Sequence, residues 1–293
     1  LIVAGRARSA FINDSVWGVI QIPLMLAAAH WWQTPAALLL AWGVAGCLCA
    51  ALGLAQGRIL PVGPRAIRGW FAEHRTLWPW FTLDNTIYQA SNFGLVLVLS
   101  FLASLTEVGA LRVAMTAFAP LTVLSRGLVG VLVPELARGR SDAARVRRRS
   151  VFAGSVLVLL AAAWWAGLQV LPLGAGQALF GESWTLARPL IGWLTISIAA
   201  GLFMSGLVVA LRALGAAREG MAARLIATFL VVGASTVGAQ TDGARGVVIA
   251  LAALAPVQIA IWWVQLSRTV ARATRDRQNE VPAEPGLDRP SAG

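Results

Sequence analysis

Apolar stretches of about 20 residues recur along the whole chain, each long enough to cross a hydrocarbon core of about 30 Å. They are separated by short polar links. Leu and Ala dominate them, without the two-residue alternation of an outer-membrane strand. Lipid offers the backbone no hydrogen-bond partners, so runs of this length must be helices. The pattern places eight spans at 11–29, 36–56, 78–103, 112–133, 151–173, 187–211, 224–240 and 246–267. The fold class this predicts is an all-α, polytopic transmembrane helical bundle.

Charge sorts the links into two kinds. All 24 basic residues are arginines, and 20 of them fall on alternate links. One side carries Arg6 and Arg8, then Arg58, Arg65, Arg68 and Arg75, then the dense run from Arg138 to Arg149. It also carries Arg212, Arg218 and Arg224, and the arginines of the tail. The opposite side has Arg245, with Arg112 and Arg188 at its flanks. The positive-inside rule makes the Arg-rich side, and with it the C-terminus, cytoplasmic. Strict alternation requires an even number of spans, which agrees with eight.

Smaller features fit this layout. Residues 64–78, "PRAIRGWFAEHRTLW", set Ile67, Trp70 and Phe71 against Arg65, Arg68 and Arg75, the pattern of a helix lying in the membrane interface. Trp31, Trp32, Trp78, Trp80 and Trp184 stand near span ends, as an aromatic belt requires. The expected division is residues 1–56 as two spans, 57–77 as a cytoplasmic linker, 78–267 as a six-span lobe, and 268–293 as a disordered tail.

Composition then excludes several classes. With 58% hydrophobic and 13% charged residues, the chain is too apolar for an ordinary soluble domain. A net charge of +11 invites a nucleic-acid reading, but the arginines lie in membrane links and build no basic groove with stacking aromatics. No nucleic-acid partner is expected. Cys47 and Cys49 are two residues apart in one span, point to different faces, and neither bridge nor chelate together. His30 and His74 have no metal-ligand spacing, and no nucleotide loop or nucleophile elbow occurs. Neither metal nor cofactor is expected, and the reading is of a protein that is not an enzyme.

Candidate chemistry concentrates in two spans. On the 78–103 helix, Asp84, Tyr88, Asn92, Asn85 and Gln89 fall at about 0°, 40°, 80°, 100° and 140° around the axis, one continuous polar face. Such a face against lipid would cost several kcal/mol, so it meets protein or water. It reads either as an interhelical hydrogen-bonding surface or as the wall of a cavity that binds sugar hydroxyls and phosphate. In the 112–133 span, Arg126 lies eight residues before Pro134, about 12 Å from the helix end. It either snorkels to the interface or waits for a phosphate, which arginine binds bidentately. Arg112 falls within about 40° of the same face of a continuous helix. Pro120, Gly127 and Gly130 would let this span bend. Asp14, near Arg6 and Arg8, reads as an interfacial ion pair.

A faint internal echo ties the two ends together. "GRARSAFIND" from Gly5 matches "GAAREGMAAR" from Gly215 at three positions, 210 residues apart, and each copy leads into two closing spans. Membrane transporters are often built from such repeats. With Leu1 in place of Met and "LIVA" resembling a helix end, the expectation is a chain that opens at the fourth-to-fifth span link of a twelve-span protein.

"GRARSAFINDSVW", "VGALRVAMTAFAPLTVLSRGLVGVLVPELAR" (108–138) and "LFGESWTLARPLI" (179–191) resemble bacterial polysaccharide and lipid-linked oligosaccharide exporters of the MATE-like superfamily. The likeness covers residues 5–267 and is strongest over 108–138. It implies two six-helix lobes around a central cavity, lined here by 78–103 and 112–133. It implies a flippase for an undecaprenyl-pyrophosphate-linked oligosaccharide, multi-pass in the bacterial inner membrane, with a polysaccharide polymerase as a candidate partner. An arginine at position 126 departs from the superfamily's pattern. The alternatives are cation-coupled multidrug export, which favours an acidic cavity, and a membrane glycosyltransferase, for which Glu107, Glu182 and Asp242 are too dispersed.

Overall fold

A computed structural model describes residues 7–57, 63–75, 78–138 and 142–280, with backbone alone for Ala7, Pro64, Asn92 and 276–280. Every element among the described residues is helical. The chain divides into two compact units, Leu1–His74 and Arg75–Gly293.

In the first unit, α1 (Ala7–Trp31) and α2 (Pro35–Gly57) form an antiparallel hairpin. The turn between them needs a left-handed residue, supplied by Gln33 at φ 51°. Thr34 then opens α2, its hydroxyl accepting from the N–H of Ala37 at 3.2 Å, and Pro35 takes a first-turn position where no N–H is missed. Both helices are apolar around most of their circumference, and Phe11, Val19, Ile22, Leu39 and Leu40 are exposed. A helix of that kind belongs in lipid or against other protein. α3 (Pro64–Glu73) starts at the expected proline and carries Ile67, Trp70 and Phe71 exposed together. It ends where the His74 ring stacks on Trp70 at 4.7 Å and its backbone N–H donates to the Trp70 carbonyl. α3 is grouped with the first unit.

The second unit comprises α4 (Trp78–Leu102), α5 (Leu105–Ala117), α6 (Ala119–Arg138), α7 (Ala143–Val170), α8 (Leu173–Phe180), α9 (Trp184–Ala213) and α10 (Ala217–Glu280). α9 is its axis, packed by α5, α6, α7, α8 and α10. Small residues let α7 and α9 close up. A Cβ on Gly154 would stand 2.8 Å from the Phe203 carbonyl oxygen, and one on Gly206 would run into the carbonyl of Ser150. Close backbone approach is the main way helices associate where lipid removes the hydrophobic drive. One apolar core gathers around Phe118, Trp184 and Ile191, and another around Val146, Leu207, Leu211 and Trp262.

α10 is no rod. Asp242 and Gly243 leave the helical region, and the chain doubles back into arms 217–241 and 244–280. Gly238 and Gly246 meet backbone to backbone at the bend, and Arg272 near the far end reaches Glu219 near the start at 3.1 Å. The turning residue Gly243 has φ 51°, as Gln33 does, and lies 210 positions after it. That is the offset of the sequence echo, of which Gly5 itself lies outside the described residues. Gly215, its partner, ends α9 at φ 75°.

Six helices are long and apolar enough to cross a membrane: α1, α2, α6, α7, α9 and α10, the last counted once despite its fold. α4 has 25 residues but falls short of that apolarity because its first half is polar. Two sequence expectations need correction. The 112–133 span is not one helix, since α5 ends at Ala117 and α6 begins at Ala119. Pro120 has no N–H to continue the ladder and crowds the turn before it, so the break falls at the buried Phe118. The tail does not become irregular at 268. α10 runs on through Glu280, because Val270 packs in the core, Arg272 is paired, and no proline intervenes before Pro282.

Candidate functional site: a buried carboxylate between two arginines

Asp84 lies in the second turn of α4 with 5% of its surface exposed. Both of its oxygens are taken. Oδ2 accepts from Nη2 of Arg212 in the last turn of α9, and Oδ1 accepts from Nε of Arg224 in the first arm of α10, each at 2.9 Å. A buried charge is tolerated only when it is paired and hydrogen-bonded, and this geometry supplies both conditions. Two guanidiniums against one carboxylate leave the centre cationic.

Aromatic rings fix the arginines from the sides. The Arg224 guanidinium sits 5.0 Å from the Tyr88 ring centre and 4.9 Å from that of Trp262. Arg212 lies 5.9 Å from the Phe81 ring centre. Phe81, Asp84 and Tyr88 recur at helical spacing, so one edge of α4 presents all three, while the fold-back of α10 delivers Trp262 from its second arm. Ser91, two turns further along α4, continues the seam: its Oγ donates to the Ile87 carbonyl at 2.8 Å and lies 2.9 Å from Thr228 Oγ1. Beside the carboxylate a cavity of about 10 Å³, bounded by Phe81, Arg212, Ala216, Gly220 and Trp262, has room for one water at most. This is a tightly closed ionic joint, and nothing the size of a sugar enters it.

The polar face of α4 is thereby divided. Asp84 is buried in the joint, and Tyr88, 38% exposed, stands at its rim. Asn85 and Gln89 are exposed on the other edge. The side chain of Asn92 lies outside what the structure describes. The expected face is thus part buried and part exposed, because its 140° arc is too wide for α10 to cover. Arg112 on α5 and Arg126 on α6 are both exposed, and neither side chain has an ion-pair partner among the described residues. The break at Phe118 separates them, so the single-helix angle that put them on one face no longer applies.

Arg212, Arg224 and Trp262 were not foreseen as site residues. The two arginines look like ordinary link charges, separated from Asp84 by 128 and 140 positions. One signal was available: Asp84, more than a turn inside an expected span, needs a cation, and Arg224 stands at the mouth of another span.

No protein-family model matches the chain, and neither a curated protein nor a solved structure matches it.

Proposed function

We propose that the chain is part of a membrane flippase that carries an undecaprenyl-pyrophosphate-linked oligosaccharide across the bacterial inner membrane. In this reading α1, α2, α4, the α5–α6 pair, α7, α9 and the two arms of α10 are eight spans. Residues 78–267 form one six-span lobe of a MATE-like pair, and α1–α2 is the closing hairpin of the other. The positive φ of 51° at both Gln33 and Gly243, 210 positions apart, supports that repeat. The Arg-rich ends face the cytoplasm.

The observation that carries the proposal is the balance of charge at membrane depth. The one acid in the polar half of α4 is neutralised twice over, while Arg126 stands unpaired among the described residues on the apolar α6. Surplus fixed cations suit an anionic pyrophosphate, and Asn85 with Gln89 offers hydrogen-bonding groups for sugar hydroxyls. The same balance disfavours cation-coupled drug export, which needs a carboxylate free to bind a proton, a metal ion or a cationic drug.

A ligand-binding comparison on the purified protein in nanodiscs tests the reading. Undecaprenyl pyrophosphate should bind saturably, and a lipophilic cationic dye should not compete with it. Saturable dye binding without pyrophosphate-lipid binding would replace the flippase with the drug exporter.

A further inference from the structure

A second basic feature lies away from the Asp84 joint, in a crevice of about 540 Å³ between the start of α7 and the second arm of α10. Its walls include Asp142, Arg145, Arg147, Arg148, Val151 and Trp263. Asp142 is committed to the local helix start: Oδ1 accepts from the N–H of Arg145 at 2.9 Å, and Oδ2 lies 3.4 Å from Nε of the same residue. Arg145 is thus already answered. Arg149 turns out of the crevice to Glu135 on α6, at 3.8 Å. Arg147 and Arg148 are left with no anionic partner among the described residues.

The height of the crevice is as informative as its charge. On α7 the arginine run stops at Arg149, and the apolar stretch opens at Ser150 and Val151. On α10 the apolar arm reaches Trp263, and the first charge follows at Arg268. On α7 the change from charged to hydrocarbon-like falls within the crevice, and the α10 arm presents an indole there five residues before its first charge, as at a membrane–water interface.

We propose that this crevice binds the phosphate headgroup of an anionic phospholipid. Arg147 and Arg148 take the phosphate oxygens, since guanidinium forks match phosphate geometry. Val151 and Trp263 take the first acyl methylenes below. Basic pockets between membrane helices hold anionic headgroups by this combination. The inference rests on the apolar helices lying in a bilayer and is independent of what the protein transports.

The test reconstitutes the protein in mixed phosphatidylglycerol–phosphatidylcholine nanodiscs. It then extracts loosely held lipid with detergent and measures what is retained by mass spectrometry. Phosphatidylglycerol should be enriched over phosphatidylcholine. Arg147→Gln with Arg148→Gln should reduce that enrichment roughly 10- to 30-fold. Arg218→Gln with Arg275→Gln, which removes equal charge from exposed positions elsewhere, should keep it within about twofold. Equal losses in the two double variants, or no loss in the first, overturn the site. Displacement of the lipid by millimolar inorganic phosphate would assign the crevice to a soluble phosphate compound and overturn the headgroup reading. Should the first double variant fail to fold, Arg148→Gln alone, at an exposed position, carries the same comparison with Arg218→Gln.

Discussion

The α1–α2 hairpin turns at Gln33, and 210 positions later α10 turns at Gly243 with the same φ of 51°. Around these two turning residues the hairpins are built differently. In the first unit, Gly43 and Gly46 face open space within 4 Å, and Asp14 is exposed. In the second, Gly238 and Gly246 are pressed together, and the position equivalent to Asp14 is Arg224, locked against Asp84. A turn and two apolar runs of matching length make the hairpin. In the second copy close glycine contact ties the two arms to each other, and a buried ion pair ties the first arm to α4. Gly43 and Gly46 make no such contact, and Asp14 has no ion-pair partner among the described residues.

Removing the buried charge should break the comparison hardest. Asp84→Leu leaves two guanidiniums facing each other without their anion, at a cost of about 3–4 kcal/mol. Asp14→Leu should change stability by no more than about 0.5 kcal/mol. Thermal unfolding of both variants in detergent micelles measures the contrast, and similar losses would mean that the joint does not hold the second unit together.

Close packing comes next. Gly206→Val must push α7 from α9 and should cost about 2 kcal/mol or more by the same assay. Gly46→Ala, with nothing near its Cβ, should be neutral or stabilise by up to about 1 kcal/mol.

The turns themselves sharpen the comparison further. Gly243→Ala forces a side chain into the left-handed region and against the Glu107 carboxylate, for about 1–2 kcal/mol. Gln33→Gly removes the same backbone strain and should stabilise the first hairpin, by about 0.5 kcal/mol. A loss at Gln33 would show that its side chain, not its φ, makes that turn.

The smallest effect is a pH dependence found only at the second turn. Glu107 accepts from the backbone N–H and hydroxyl of Ser104 at 3.0 Å, and Ser104 Oγ accepts in turn from the Glu107 N–H, capping α5. Its other oxygen lies 3.4 Å from the N–H of Ala244, where the second arm of α10 begins. These bonds, the Ser104 backbone N–H foremost, hold the Glu107 carboxyl below its ordinary pKa. A depressed folded-state pKa means that the stabilisation is complete above the ordinary carboxylate range and is lost as pH falls through the lowered value. Glu107→Gln should flatten this acid limb of stability, and an unchanged limb would remove Glu107 from the account.

Much of this was legible in the residues themselves. Span length and the amphipathic pattern that opens at Pro64 are local properties, and helices form where they predict them. The S-x-x-E signature at Ser104–Glu107 was equally local and shows that the helix begins well before the expected residue 112. What could not be seen was tertiary. Whether Asp84 faces a cavity or a partner depends on Arg212 at the end of α9 and Arg224 in the first arm of α10, brought to it only by the packing of the second unit. Periodicity assigned five polar residues to one face, but packing decides where along that arc the protein ends.

The central claim is that surplus cations at membrane depth serve an anionic lipid, and Arg126 tests it most directly. The measurement is the affinity of the Arg126→Gln variant, in nanodiscs, for undecaprenyl pyrophosphate and for undecaprenol, which lacks the charge. Loss of a charge-assisted hydrogen bond, about 1.5–3 kcal/mol, should weaken the pyrophosphate roughly 10- to 150-fold and leave the alcohol unchanged. Equal weakening of both ligands, or of neither, would contradict the account and leave Arg126 a snorkelling residue with no part in binding.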